Sequence, residues 1–352
     1  ATGTVNLSGT LHIPRDWTHV SGTVNPGTSV AYFSWGWAAT SSTITTNGMS
    51  FNNMEFVKGG STNVSLVGTV TAQGDVLFNA AGTDNQINGG VLEVEGDLTA
   101  TAWDGGDATI RLTGSGTQTV TGSDGGMLPS IEFASSGTVN LAGEIEVEKD
   151  LTYTSGTVNA GTSEVHFVGG REAYIDVNSG FAFNNVLFNK SSNSADLYIN
   201  TNMPIAGDLT MNMTQDITFM YGTGNIDLEG DFTLLDAPGS QANPAPSITF
   251  MGSGDQNIYR SGGEHRGNFI MNKASGSVIQ HGALNMNYNG SGWSQDLILT
   301  DGTWDMQRYS ITVNDQLIVS NSPDQAYINA DCADLVVNGS TSDPGGGILG
   351  NV

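Results

Sequence analysis

The sequence predicts an all-β protein, folded as a right-handed parallel β-helix of about 16 coils with a period of about 22 residues. A coil is one turn of such a helix. Three observations support the prediction. Short strings recur along the chain, equivalent strings lie at a nearly constant distance, and the segments between them alternate apolar and polar residues as strands do.

Short strings of turn and strand residues recur through most of the sequence. Ser-Gly-Thr-Val-Asn occurs three times, at residues 21–25, 136–140 and 155–159. Gly-Asp followed by Val, Leu or Phe occurs four times, at residues 74–76, 96–98, 207–209 and 230–232. The first two of these copies lie 22 residues apart and the last two lie 23 apart. A β-propeller blade needs about 40–50 residues, so this shorter repeat favours stacked coils.

The segments between these strings have the two-residue alternation of strands. Glu93 and Glu95 alternate with Leu92 and Val94, which gives one polar face and one apolar face. Gly, Asn, Asp and Ser cluster between such segments, where tight turns require them. No segment combines helix-period apolar residues with helix caps.

Composition excludes several classes of function. The 352 residues include 10 Lys and Arg against 35 Asp and Glu, a net charge of −25. Binding to nucleic acid or to an anionic membrane surface depends on basic residues and is therefore not expected. No apolar run approaches the roughly 18 residues of a membrane-spanning helix. Cys332 is the single cysteine, which rules out an internal disulfide.

With Ser-Gly-Thr-Val-Asn and the pair Phe-Asn-Asn-Met-Glu-Phe (51–56) and Phe-Asn-Asn-Val-Leu-Phe (183–188) as its repeats, the chain from Gly3 to about Val319 resembles bacterial-type extracellular and surface β-solenoid repeat proteins. Adhesin stalks and fibre subunits belong to this group, and so do β-helical polysaccharide enzymes. The resemblance implies a prokaryotic protein that is extracellular or at the cell surface. It is specific for architecture rather than for activity.

The sequence divides into three parts. Residues 1–20 form an N-terminal strand and first coil, residues 21–320 the solenoid body, and residues 321–352 a last strand with a glycine-rich tail. A solenoid presents unpaired backbone groups at each end, so we expect head-to-tail contact with copies of the same chain. The alternative is a monomer whose tails fold back on its sides. The predicted contact residues are Thr4, Val5, Leu7, Ile348, Leu349 and Val352.

Candidate catalytic and metal-binding residues have structural explanations. His12 and His166 fall on the outward phase of their strands and are expected to be solvated. Asp75 and Asp97 on neighbouring coils could form a pair for glycoside hydrolysis or calcium binding, as could the row Glu144, Glu146 and Glu148. The aspartate recurs in every Gly-Asp-apolar string, which favours a turn residue that accepts backbone hydrogen bonds. No cofactor is expected, with calcium as the alternative.

These observations favour a structural subunit of an extracellular filament, fibre or sheath, without enzymatic activity. The alternative is a surface adhesin or glycan-binding module. Trp35 and Trp37 share one strand face and could then stack on sugar rings, although packing against a loop or a neighbouring subunit explains them as well. A third hypothesis is a polysaccharide-degrading enzyme.

Overall fold

The computed structural model describes residues 3–34, 41–57, 62–80, 84–192, 195–212, 220–235, 246–262, 265, 267–286, 295–313, 315–319, 326–337 and 347–349. These residues form strands and turns, and none of them is helical. The described part of the chain therefore contains no helix of the length and hydropathy that a membrane span requires. The chain forms two compact units, Ala1–Val168 and Gly169–Val352.

The described residues of the first unit form twenty strands. They are β1 (Thr4–Asn6), β2 (Thr10–Ile13), β3 (Trp17–Thr18), β4 (Thr23–Asn25), β5 (Val30–Phe33), β6 (Ser41–Thr45), β7 (Ser50–Phe51), β8 (Asn53–Phe56), β9 (Thr62–Val67), β10 (Thr69–Ala72), β11 (Val76–Asn79), β12 (Asn85–Asn88), β13 (Val91–Val94), β14 (Leu98–Asp104), β15 (Thr109–Leu112), β16 (Thr117–Gly122), β17 (Gly126–Met127), β18 (Ser130–Val147), β19 (Leu151–Asn159) and β20 (Glu164–Phe167).

The second unit contains eighteen strands within its described residues. They are β21 (Ala173–Asp176), β22 (Asn185–Phe188), β23 (Leu197–Ile199), β24 (Met203–Ile205), β25 (Leu209–Met211), β26 (Met220–Tyr221), β27 (Ile226–Leu228), β28 (Phe232–Leu234), β29 (Ile248–Phe250), β30 (Gln256–Arg260), β31 (Phe269–Gln280), β32 (Leu284–Met286), β33 (Leu297–Asp305), β34 (Ile311–Val313), β35 (Gln316–Val319), β36 (Ala326–Asn329), β37 (Leu335–Val337) and β38 (Gly347–Leu349).

Strands of successive coils pair in parallel, so the predicted solenoid and its period are confirmed. In the first unit β8 pairs with β11 and β11 with β14, which places Met54, Val76 and Leu98 at equivalent positions. In the second unit β25 pairs with β28 and β28 with β30 in the same manner. Equivalent residues therefore stack at the strand spacing, one per coil.

The structure has about 13 coils, so the predicted number of 16 is too high. Some coils are longer than 22 residues. Phe269 pairs with Leu297, 28 residues further along, and Leu317 pairs with Ile348, 31 residues further along. Longer coils keep the parallel pairing, as these two pairs show, but reduce the number of coils that a given length can form.

Aromatic side chains stack along the interior of the first unit. Phe33, Phe56 and Phe78 occupy equivalent positions, with ring centroids 5.1 and 4.8 Å apart and ring planes 11° from parallel. Trp103 packs against Phe78 at 4.9 Å. All four side chains are buried. Burial of this continuous apolar column is the main stabilising term for a stack of coils.

Candidate functional site: ladders between coils and open strand edges

A column of Asn and Asp side chains links four consecutive coils of the first unit. The Oδ1 atom of Asn53 accepts a hydrogen bond from the N–H of Asp75 at 3.0 Å. Asp75 Oδ1 accepts from the N–H of Asp97 at 2.9 Å, and Asp97 Oδ1 from the N–H of Thr119 at 2.7 Å. Each bond spans 22 residues. The side chain at one turn therefore satisfies the backbone donor at the same turn of the next coil.

The second unit repeats this column. Asn185 Oδ1 accepts from the N–H of Asp208, and Asp208 Oδ1 from the N–H of Asp231, both at 2.8 Å. Asp231 Oδ1 accepts from the N–H of Asn257 at 2.7 Å. The recurring aspartates are thus backbone acceptors, as predicted. The sequence did not show that the donor belongs to the following coil, since hydrogen bonds within one turn would produce the same repeat.

The column predicts different outcomes for two substitutions of Asp75. Asp75→Asn keeps the Oδ1 acceptor and removes a negative charge that lies one coil from Asp97, so unchanged or slightly higher stability is expected. Asp75→Ala removes the acceptor and is expected to cost about 1 kcal/mol. Urea unfolding measures both. A loss of stability in Asp75→Asn that equals the loss in Asp75→Ala would show that the charge itself is needed, for example for calcium.

Glycines in the Gly-Asp-apolar strings permit close contact between coils. A Cβ atom on Gly96 would lie 2.6 Å from Asp75 Oδ1 and 2.7 Å from the carbonyl oxygen of Gly74. A Cβ atom on Gly230 would lie 2.6 Å from Asp208 Oδ1. Carbon atoms do not approach oxygen this closely. The glycine and the aspartate of the string therefore act together. The aspartate of one coil occupies the space that a side chain at the glycine of the next coil would need.

A column of alternating charge crosses three coils of the first unit. Arg111 Nε donates to Glu132 Oε2 at 2.7 Å, and Arg111 Nη1 lies 3.5 Å from Glu93 Oε1. The register of β13, β15 and β18 places these three residues at equivalent positions. The hydrogen bond with Glu132, together with the charges of both glutamates, raises the pKa of Arg111 above its ordinary value. This column also stabilises the contact between coils.

The prediction that His166 is solvated is wrong, whereas His12 is exposed as predicted. His166 Nδ1 lies 2.9 Å from Glu144 Oε1. Its Nε2 atom lies 3.1 Å from Glu164 Oε2, without the geometry of a hydrogen bond. The two glutamates flank the imidazole and leave 6 % of His166 exposed. Alternation along one strand cannot reveal this burial, because Glu144, one of the two flanking side chains, belongs to the neighbouring coil.

The carboxyl group of Glu146 belongs to the same cluster. Burial raises its pKa, and the nearby charge of Asp124 adds to this effect. The N–H of Gly125 donates to Glu146 Oε2 at 3.2 Å and opposes the shift. Within the described residues, no group of three or more His, Cys, Asp or Glu side chains has an arrangement that could hold a metal ion.

Two buried glutamines, which the sequence analysis did not single out, bridge coils in the interior. Gln118 Nε2 donates to the carbonyl oxygens of Val94 and Gly96 at 2.9 and 2.7 Å. Gln256 makes the equivalent bonds in the second unit, to Leu228 and Gly230. A recurring Gly-Ser-Gly-x-Gln string, at 114–118 and 252–256, was the available signal. It occurs once in each unit.

A buried lysine completes the second of these bridges. Lys273 Nζ donates to the carbonyl oxygen of Gly252 and to Gln256 Oε1, both at 2.6 Å. Burial lowers the pKa of this amine, and the charge of Asp255 opposes the shift. Ser135 holds the equivalent place in the first unit and donates to Gly114 at 2.6 Å. Lys273 is thus part of the framework of the interior.

The first strands of the first unit have open edges. Among the described residues β1 pairs with β4 alone, β2 with β5 and β3 with β6. Thr4 and Val5 lie in β1, and both are exposed. Leu7 follows that strand, is half-buried, and donates its N–H to Asn25 O at 2.9 Å.

The last strands of the second unit are open in the same way. Among the described residues β36 pairs with β33 alone, β37 with β34 and β38 with β35. Ile348 and Leu349 belong to β38, where they pair with Leu317 and Ile318 of the same chain. Val352 lies outside the described residues, as do Trp35 and Trp37.

The fold and these contacts define the protein as a parallel β-solenoid whose recurrent polar residues serve to stack its coils. Comparison with protein-family models, with curated proteins and with solved structures finds no match.

Proposed function

We propose that this protein is a structural subunit of an extracellular filament, fibre or sheath, which assembles end to end through its terminal strands. Copies of the same chain are its partners, and it carries out no reaction of its own. The observation behind this proposal is that, among the described residues, the first three strands of the first unit and the last three strands of the second each pair on one side only.

The open edge of β1 offers backbone groups for pairing. Leu7 N–H donates to Asn25 and the carbonyl of Gly3 accepts from Thr23, so Gly3, Val5 and Leu7 direct their backbone groups towards β4. Backbone groups of a strand alternate between its two sides. The N–H and C=O groups of Thr4 and Asn6 therefore face the open side, where a further parallel strand can bind them.

A contact between the last coil of one copy and the first coil of the next is heterologous. The two surfaces differ, so each added copy presents the same open edge again, and such a contact produces a filament unless it closes into a ring. Exposed apolar side chains occur at both edges. Val5 is 54 % exposed in β1 and Tyr327 is 56 % exposed in β36. Their burial in the contact would add to the backbone hydrogen bonds.

The surface of the chain suits an extended assembly. A net charge of −25 makes side-by-side contact between copies unfavourable. The terminal strands offer backbone hydrogen bonds that can offset this repulsion. Growth along one direction is the expected consequence.

Thr4→Pro tests this proposal. Proline removes the N–H that faces the open side of β1, and Gly3 before it has no side chain to clash. We expect wild-type protein to form filaments and the variant to need at least about tenfold more protein to do so, equivalent to about 1.4 kcal/mol. Light scattering and negative-stain electron microscopy measure the concentration at which filaments appear.

Thr4→Val is the matched control, because it keeps the N–H and is expected to assemble as the wild type does. Wild-type protein that stays a monodisperse monomer at high concentration would overturn the proposed function. Filaments of Thr4→Pro at the wild-type concentration would show that β1 is not the edge in contact.

A further inference from the structure

Two outward-facing aromatic rings are stacked on consecutive coils of the second unit. Tyr259 lies in β30, and His281 follows β31, whose Gln280 pairs with Ile258. The two ring centroids are 4.7 Å apart and the ring planes differ by 12°. Tyr259 is 43 % exposed. The pair is therefore an aromatic surface in contact with solvent, separate from the aromatic column of the interior.

Hydrogen bonds hold this pair in place. The ring Nε2 of His281 lies 2.8 Å from Asn257 Oδ1. The amide of Asn257 donates to both carboxylate oxygens of Asp231, at 3.1 Å each. The imidazole is thus positioned by two residues on two earlier coils. A ligand that stacks on these rings would meet groups whose conformation is already fixed, which lowers the entropy cost of binding.

On the preceding coil the register neighbour of Tyr259 is Thr233, whose short side chain does not extend as far from its strand as the tyrosine ring does. Asp231 directly precedes β28 and is bonded to Asn257 of β30, two residues before Tyr259, so its carboxylate lies on the same outward side as the tyrosine. A flat apolar ring next to hydroxyl, amide and carboxylate groups matches the chemistry of a sugar, which has an apolar C–H face and a rim of hydroxyl groups.

We propose that Tyr259 and His281 form a platform for the pyranose rings of a neutral polysaccharide, with the Asp231 carboxylate and the Thr233 hydroxyl as hydrogen-bonding partners of its hydroxyl groups. An acidic sugar would meet the Asp231 carboxylate at this platform, while Arg260 directs Nε and Nη1 to the carbonyl oxygens of Gly262 and Ala283. The chain as a whole has few basic residues and would repel a polyanion. This inference does not depend on filament assembly.

Isothermal titration calorimetry with soluble dextran, xylan and galactomannan tests the proposal, with polygalacturonate as the acidic comparison. We expect a neutral polysaccharide to bind the wild type and to bind Tyr259→Thr at least about tenfold more weakly, equivalent to about 1.4 kcal/mol. Tyr259→Phe keeps the ring and is expected to bind within about threefold of the wild type. His281→Gln keeps a hydrogen-bonding group but lacks the ring, and weaker binding is again expected.

Tyr309→Thr is the matched control. Tyr309 is also 43 % exposed, and no ring contact is found for it within the described residues. Its replacement is expected to leave binding unchanged. The proposal fails if no neutral polysaccharide binds the wild type, if polygalacturonate binds more tightly, or if Tyr259→Thr and His281→Gln both bind as the wild type does. Circular dichroism shows whether each variant is folded. If Tyr259→Thr does not fold, the binding of His281→Gln tests the proposal.

Discussion

Replacing Gly96 by alanine is expected to lower the free energy of unfolding of the first unit by about 3 kcal/mol. The new Cβ atom would lie 2.6 Å from Asp75 Oδ1 and 2.7 Å from the Gly74 carbonyl oxygen. These two overlaps can be removed only if the coils separate at this point. Separation would lengthen the hydrogen bond from Gly96 N–H to Gly74 O, at 3.2 Å, and the one from Asp97 N–H to Asp75, at 2.9 Å.

Gly116→Ala is the matched control for this prediction. A Cβ atom on Gly116 meets no atom within 4 Å, so a change within about 0.5 kcal/mol is expected, or a small gain from the stiffer unfolded chain. Urea unfolding followed by circular dichroism measures both variants. Equal effects of the two substitutions would show that the glycine is not needed for close contact between coils.

Stability is expected to fall by about 3 kcal/mol as the pH decreases from about 6.5 to about 4, through His265. This side chain is 5 % exposed and packs against the rings of Phe232 and Phe269. Burial lowers its pKa from 6.5 to about 4. The Pro246 carbonyl opposes the shift only in part, since neither ring nitrogen has hydrogen-bonding geometry with any described group.

The sign follows from the protons bound in each state. Between pH 4 and 6.5 the unfolded chain binds a proton at His265 and the folded chain does not, so unfolding is favoured as the pH falls. Above pH 6.5 the contribution of His265 to stability is fully present. Below pH 4 that contribution is lost. Urea unfolding at several pH values measures the effect.

His265→Phe isolates this contribution from those of other groups. Phenylalanine fits among the same rings and does not titrate, so the difference in stability between wild type and variant should change with pH only between about 4 and 6.5. A difference that stays constant across this range would show that His265 is not buried as a neutral imidazole.

The candidate site was partly predictable from residues alone. The spacing of Gly74, Asp75, Gly96 and Asp97 indicated both the coil period and a backbone-acceptor role for the aspartates. The burial of His166, the bridge at Gln118 and the stacking of Tyr259 on His281 were not predicted. Each depends on which residue of another coil lies beside it, and one inserted residue between coils changes that neighbour.

By itself, the sequence determined that the chain consists of short strands in coils of about 22 residues, because strand alternation and turn chemistry act between residues close along the chain. Only the tertiary structure decided how many coils form, which aspartate accepts from which backbone donor, and which side chains are covered. These properties depend on register between coils. Register is set by the packing of side chains about 22 residues apart, with longer coils such as Phe269 to Leu297 shifting it locally.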